Sequence, residues 1–242
     1  MKKIASIIGA LLFATAAQAQ DCRLERVVSL PLSTLPDGSI AAPFSVNGKT
    51  ELLAISLQAP RTVLDSAEVD GAPGGDVKLR SFAMGKLTFA DVTVGTAAGS
   101  LAGAAGVIGL DTLRRFDLEF DFRNAQLNLF TQHACLGTGV VYWTDRYTVV
   151  PMSSDAGGHV LAQVTLDGKP ANAEISTAPG PVALRTPGAV KALGIGAITL
   201  ANPPVTAGDG IAPGADARIG LDTLSKLHLF FAFSENKLYA TP

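Results

Sequence analysis

The 242-residue sequence is short of the residues most enzymes use for chemistry. It has two cysteines, three histidines and 17% charged residues, against about 25% in an average soluble domain. His133, His159 and His228 are scattered, and with Cys22 and Cys135 they give no zinc-ligand spacing, so no metal site is expected. There is no phosphate-binding loop, no dinucleotide fingerprint and no G-x-S-x-G elbow, and hence no cofactor is implied. After position 17 no apolar run is long enough to span a bilayer.

What the sequence does have begins at its N-terminus. "MKK" is a positive start, "IASIIGALLFATAA" is a 14-residue apolar run, and "AQA" at 17–19 is a small-x-small cleavage site. Residues 1–19 therefore read as a secretory signal peptide, which places the mature chain in the periplasm or outside the cell. Losing Lys2 and Lys3 leaves 17 basic against 21 acidic residues, a net charge of −4. That gives no electrostatic reason to expect nucleic acid as a partner. In an oxidising compartment Cys22 and Cys135 are expected to pair.

The hexapeptide "IGLDTL" occurs at 108–113 and again at 219–224. It is the tip of a longer repeat. At an offset of 120, residues 26–64 fall on 146–184 with ten of 39 identities; at an offset of 111, residues 106–128 fall on 217–239 with ten of 23. The second copy lacks nine residues between about 65 and 86. Two copies of about 110 residues are too few and too long for a solenoid and read as a duplicated lobe.

Each copy looks β-rich. Asn47-Gly48 and Asp167-Gly168 are hairpin turns inside apolar runs, and a second hairpin is expected at Gly85. "FDLEFDFRNAQLNLF" alternates Phe116, Leu118, Phe120 and Phe122 on one face and turns at Asn124. Short helices are expected after Gly109 and Gly220, capped by the following Asp or Thr. A third is expected in "TPGAVKALG", with Thr186 as N-cap, matched by an Asp65-Ser66 cap in the first copy.

This order of elements, with "VIGLDTLRRFDLEFDFRNAQLNLF" as its most specific stretch, resembles one lobe of a retropepsin-like or pepsin-like aspartic peptidase. The resemblance covers nearly all of the mature chain, once per lobe. It implies an all-β, bilobal fold, with lobes at 20–137 and 138–242 related by a pseudo-twofold around a peptide cleft. In that family Asp111 and Asp222 would be structural. A flap, if present, would come from 75–94 of the first lobe. A chain carrying both lobes is expected to be a monomer.

Such peptidases place an Asp-Thr/Ser-Gly loop in each lobe, and the two carboxylates share a proton and activate one water. Here the matching positions are Ser56, Leu57, Gln58, Ala59 and Ser176, Thr177, Ala178, Pro179. Both aspartates are serines, so no catalytic residue of the family is intact. Leu57, Gln58, Ala59, Thr177 and Ala178 are candidate cleft residues. The two serine hydroxyls are expected to face each other across the lobe interface, bonded to each other or to a water. Three readings stay open: a pseudopeptidase that binds an extended peptide or protein segment between its lobes, an active peptidase with a non-standard site, and a structural envelope protein whose cleft is closed by Leu57 and Gln58.

Overall fold

The computed structural model describes residues 24–99, 103–132 and 139–242. The expected signal peptide and both cysteines, Cys22 and Cys135, lie outside the described residues, as does His133. In the first copy the strands are β1 (Arg26–Pro31), β2 (Ser33–Thr34), β3 (Ile40–Val46), β4 (Lys49–Ile55), β5 (Val63–Asp65), β6 (Asp76–Met84), β7 (Leu87–Ala97), β8 (Gly106–Ile108), β9 (Asp117–Asp121) and β10 (Gln126–Phe130), with α1 (Leu110–Leu113) after β8. The second copy has β11 (Thr148–Ser154), β12 (Val160–Leu166), β13 (Lys169–Ile175), β14 (Val182–Leu184), β15 (Ala192–Ile195), β16 (Ile198–Ala201), β17 (Val205–Ala207), β18 (Ala217–Ile219), α2 (Leu221–Leu224), β19 (His228–Ala232) and β20 (Lys237–Thr241). The chain is all-β and bilobal, with two one-turn helices among the described residues.

The repeat is visible in the pairing. Hairpin β3–β4 turns at Asn47-Gly48 and hairpin β12–β13 at Asp167-Gly168, all four residues having positive φ as a two-residue turn requires. β8 lies between β4, parallel, and β5, antiparallel; β18 lies likewise between β13 and β14.

The lobes are joined by a shared antiparallel sheet in the order β1-β10-β9-β19-β20-β11. At its centre Phe120 pairs with Leu229 and Leu118 with Phe231. At the repeat offset of 111 each of these pairs maps onto the other, so the register itself has twofold symmetry. Glu119, opposite Phe230, sits on the axis. Leu118, Phe120, Leu229 and Phe231 point from this sheet into a core continuous through both lobes.

Two features differ from the sequence reading, and a third lies beyond it. Residues 186–194 form no helix: Leu193 and Ile195 alternate inward on β15, which pairs with β12 through Leu166 and Thr165. Sheet-edge pairing outweighs the local cap signal. Asp65 caps a turn rather than a helix, its Oδ1 accepting from Ala67 N at 3.0 Å. The outer face of the shared sheet is not solvated, because Val140, Val141 and Trp143 of the segment between the copies pack on it with Phe130, Phe230 and Tyr239.

Asp117 and Glu119 are therefore buried, at 3% and 1% exposure. Glu119 is well partnered: Asn128 Nδ2 at 2.8 Å, Tyr142 OH at 2.7 Å and His228 Nε2 at 2.7 Å. His228 also stacks flat on Trp143, 4.0 Å between ring centroids. Asp117 accepts from Ser234 N at 3.0 Å and Ser234 Oγ at 2.6 Å. Burial nevertheless pushes its carboxyl above the ordinary range, against the lowering effect of the Ser234 bonds. A raised pKa means that the fold favours the protonated form, so the charged form carries a penalty above that pKa, and the penalty is relieved as pH falls through it. Asp117→Asn keeps a hydrogen-bonding side chain without the charge. It is expected to raise the thermal midpoint at pH 7, with the advantage shrinking as the pH is lowered; a midpoint that falls at pH 7 would refute this account.

Candidate functional site

Ser56 and Ser176 follow equivalent strands, β4 and β13. Each donates its backbone N–H to the first residue of a repeated hexapeptide: Ser56 N to Ile108 O and Ser176 N to Ile219 O, both at 3.0 Å. The hexapeptides form the floor beneath the loops that follow. Leu110 N donates to Ala59 O at 2.9 Å, and Leu221 N to Ala178 O at 3.0 Å. Asp111 Oδ1 accepts from Thr62 N at 2.9 Å and Thr62 Oγ1 at 2.7 Å, while Asp222 Oδ1 accepts from Gly180 N at 3.2 Å. The helix caps are Gly109 and Gly220, with no side-chain cap bond. The acids expected to cap the helices instead tie down the serine loops.

The two loops meet. Thr177 Oγ1 donates to Ile55 O at 2.7 Å and accepts from Leu57 N at 3.1 Å, both buried and both between lobes. Its counterpart is Leu57, which has no hydroxyl and turns fully into the core, so the interlock is one-sided. Thr177→Val would leave the Leu57 N–H and the Ile55 carbonyl without a partner. A loss of about 2–4 kcal/mol is expected, read as a lower urea midpoint; a loss under about 1 kcal/mol would show that the bridge contributes little.

The serine side chains are engaged differently. Ser56 Oγ accepts from Gln58 N at 3.2 Å and Ala59 N at 2.9 Å. Ser176 Oγ, fully buried, accepts from Ala178 N at 3.0 Å and donates to Gln58 Oε1 at 2.6 Å. In place of the expected bond to Ser56 or a water, Ser176 is taken up by the glutamine of the opposite lobe. Gln58 Nε2 continues to Glu174 Oε1 at 2.8 Å. Glu174, 1% exposed, also accepts from Ala212 N at 2.9 Å and Arg218 Nε at 3.0 Å.

Under the repeat, Gln58, Ser176, Glu174 and Arg218 correspond to Ala178, Ser56, Ala54 and Val107. One side of the pseudo-twofold holds a filled polar chain. On the other side the same four positions carry small or apolar residues with one serine, and all four line a pocket of about 330 Å³. Asp37, Ser39, Ile55, Ala59, Thr177 and Pro179 complete it. The pocket thus spans both lobes, and it exists because Ala178 does not reach across as Gln58 does. Asp37 and Ser39 come from the turn before β3, which touches the second lobe where Gly38 lies against Pro179.

Sequence reasoning missed Glu174, Arg218 and Asp37. A signal existed for the first two: a charged pair in one copy at positions that read Ala54 and Val107 in the other. The flap expectation is corrected. The β6–β7 hairpin turns at Gly85, where an added β-carbon would meet Val28 of β1 at 3.3 Å, and no residue of 75–94 lines the Ser56 pocket. Pairing of β6 with β3 through Phe82 and Val46 commits the hairpin to the lobe core. Among the described residues no cluster of three or more His, Cys, Asp or Glu could hold a metal ion.

These features define the pepsin-like bilobal β fold. The crystal structure of an aspartic proteinase from Irpex lacteus matches with a TM-score of 0.59 at 11% identity, over 88% of this chain and 96% of that one. Basic 7S globulin from soybean matches with a TM-score of 0.56 at 10% identity, over 88% and 94%. At these identities the likeness shows the fold alone. No protein-family model and no curated protein matches the sequence.

Proposed function

We infer that the chain is an exported pepsin-like pseudopeptidase, a monomer that binds an extended peptide or protein segment between its lobes. The observation that carries this reading is the state of the two serines at the positions matching the aspartates. Each accepts N–H bonds from its own loop, and Ser176 is further occupied by Gln58. A serine hydroxyl without a base is neither a general acid nor a general base near neutral pH. Two carboxylates lie near the serines: Glu174 has no acidic counterpart, since position 54 is alanine, and it holds three donors, while Asp37 on the pocket wall has its Oδ1 engaged by Ser39 and, among the described residues, bonds to neither Ser56 nor Ser176. The open pocket beside Ser56 favours binding over a closed structural role. Export rests on residues 1–19, and no helix among the described residues is long and apolar enough to cross a membrane.

Purified mature protein incubated with a denatured protein between pH 3 and pH 7 is expected to leave it intact. Cleavage at acid pH that disappears in Ser56→Ala would overturn the reading. Intact-mass analysis of exported material is expected to give a chain starting near Gln20 with Cys22 and Cys135 joined.

A further inference from the structure

The filled half of the site shows what its geometry holds. In lobe two a carbonyl oxygen, that of Gln58, accepts from the serine hydroxyl while the adjoining nitrogen donates to a carboxylate. The open half offers the same two kinds of group. Ser56 Oγ accepts two backbone N–H bonds, and among the described residues its own proton has no acceptor. Asp37 supplies a carboxylate on the pocket wall: Oδ1 accepts from Ser39 N at 2.9 Å and Ser39 Oγ at 2.6 Å, and Oδ2 has no partner among the described residues.

The rest of the wall is Ala54, Ile55, Ala59, Val107, Ala178 and Pro179 around the Thr177 hydroxyl, which is already spent on the lobe interlock. Among the described residues Asp37 is the one formally charged side chain lining the pocket, so a ligand carboxylate would meet a like charge and no cation. A volume of about 330 Å³ is at the small end of ligand sites and suits one or two residues. Gln58 fills the opposite half, so an extended chain entering here cannot continue through the symmetric position.

We propose that the lobe-one half-site captures the free N-terminus of a peptide whose first residues are small and aliphatic, the α-ammonium at Asp37 and the first carbonyl at Ser56. The proposal rests on the reading of the interlobe cleft as a peptide-binding site and names its ligand. A terminal residue places an ammonium and a carbonyl one carbon apart, compact enough for a pocket of about 330 Å³; a lysine side chain separates them by a long stem. The Ser39 bonds hold the Asp37 carboxyl below its ordinary range, so it stays an anion into mild acid.

The test uses the mature chain and two probes, Ala-Val-Ala amide and its N-acetylated form, with binding followed by NMR titration. The free amine is expected to bind about fivefold tighter, as one partly exposed ion pair allows. The preference should vanish above about pH 9, where the α-amino group, with a pKa of about 8, is neutral. Asp37→Asn keeps the Oδ1 acceptor for Ser39 and should erase the preference while leaving binding of the acetylated probe. Ala178→Gln, which copies the native plug at Gln58, should weaken both probes at least about tenfold with an unchanged melting temperature. N-acetyl-Ala-Lys-Ala amide should bind no better than the acetylated probe. Equal binding of free and acetylated probes, both lost in Ala178→Gln, would overturn N-terminal capture and leave the cleft a peptide site. Binding unaffected by Ala178→Gln would overturn the location. No binding of either probe, nor of any member of a mixed peptide library, would overturn both readings together.

Discussion

Glu174→Ala is expected to lower the stability of the protein by about 3–5 kcal/mol, seen as a lower midpoint of urea unfolding. The carboxylate is 1% exposed and holds three donors from three places: Gln58 of the opposite lobe, the backbone of Ala212, and Arg218 of the neighbouring strand. Removing it takes the charge partner from the Arg218 guanidinium, which is only 22% exposed and keeps the Gly210 carbonyl as an acceptor, and it leaves the Ala212 N–H without its acceptor. It also releases Gln58, the side chain that links the lobes on this side. The first copy supplies the control, because it solves the same strand pair with Ala54 and Val107. Glu174→Ala combined with Arg218→Val copies that solution and should recover most of the loss, since an unpaired buried charge costs more than a missing pair. A single-variant loss below about 1 kcal/mol, or a double variant no better than the single one, would mean that the polar chain does not hold this half of the site together.

How far the sequence discloses the fold can be traced through its repeat. Gly48 and Gly168, Gly85, and the paired hexapeptides are backbone requirements, and backbone requirements are written locally. The hairpins and the twofold relation of the lobes are legible from them. Residues 186–194 mislead because Thr-Pro-Gly is a good helix start, whereas the gain from burying Leu193 and Ile195 beside β12 is long-range. The alternation around Phe120 marks the core face, but the burial of Glu119 depends on a segment from elsewhere in the chain covering the other face. The candidate site is legible as positions and illegible as contacts. Ser56 and Ser176 can be aligned, yet that Gln58 crosses to Ser176 while Ala178 leaves a space is a property of two loops brought together by the fold. Asp37 enters the pocket from a turn about twenty residues away, and no local pattern points from it to Ser56.

The repeated "IGLDTL" yields the other large effect. Gly109→Ala and Gly220→Ala are each expected to cost about 3–5 kcal/mol, or to prevent folding outright. Neither glycine has a left-handed backbone: φ is −100° at Gly109 and −84° at Gly220, so the demand is for space and not for conformation. A methyl at 109 would collide with the carbonyl carbon and oxygen of Arg61 and press on the carbonyl of Ala59; at 220 it would collide with the carbonyl of Gly180 and crowd that of Pro181. These obstacles are backbone, and they cannot swing aside. They are also fixed by the bonds that make the hexapeptide a floor, Leu110 N to Ala59 O and Leu221 N to Ala178 O. Relief therefore requires lifting the loop that carries Ser56 or Ser176, with the Thr177 interlock attached to it. Gly188→Ala is the matched control: its added carbon meets nothing closer than the Thr186 carbonyl at 3.9 Å, and its effect should lie within about 0.5 kcal/mol of zero. Asp111→Asn, which keeps an acceptor for Thr62, should cost far less than either floor glycine. If the order were reversed, with Asp111→Asn abolishing a function while Gly109→Ala folded normally, the hexapeptide would be a reactive element and its repetition would have nothing to do with supporting the loops above it.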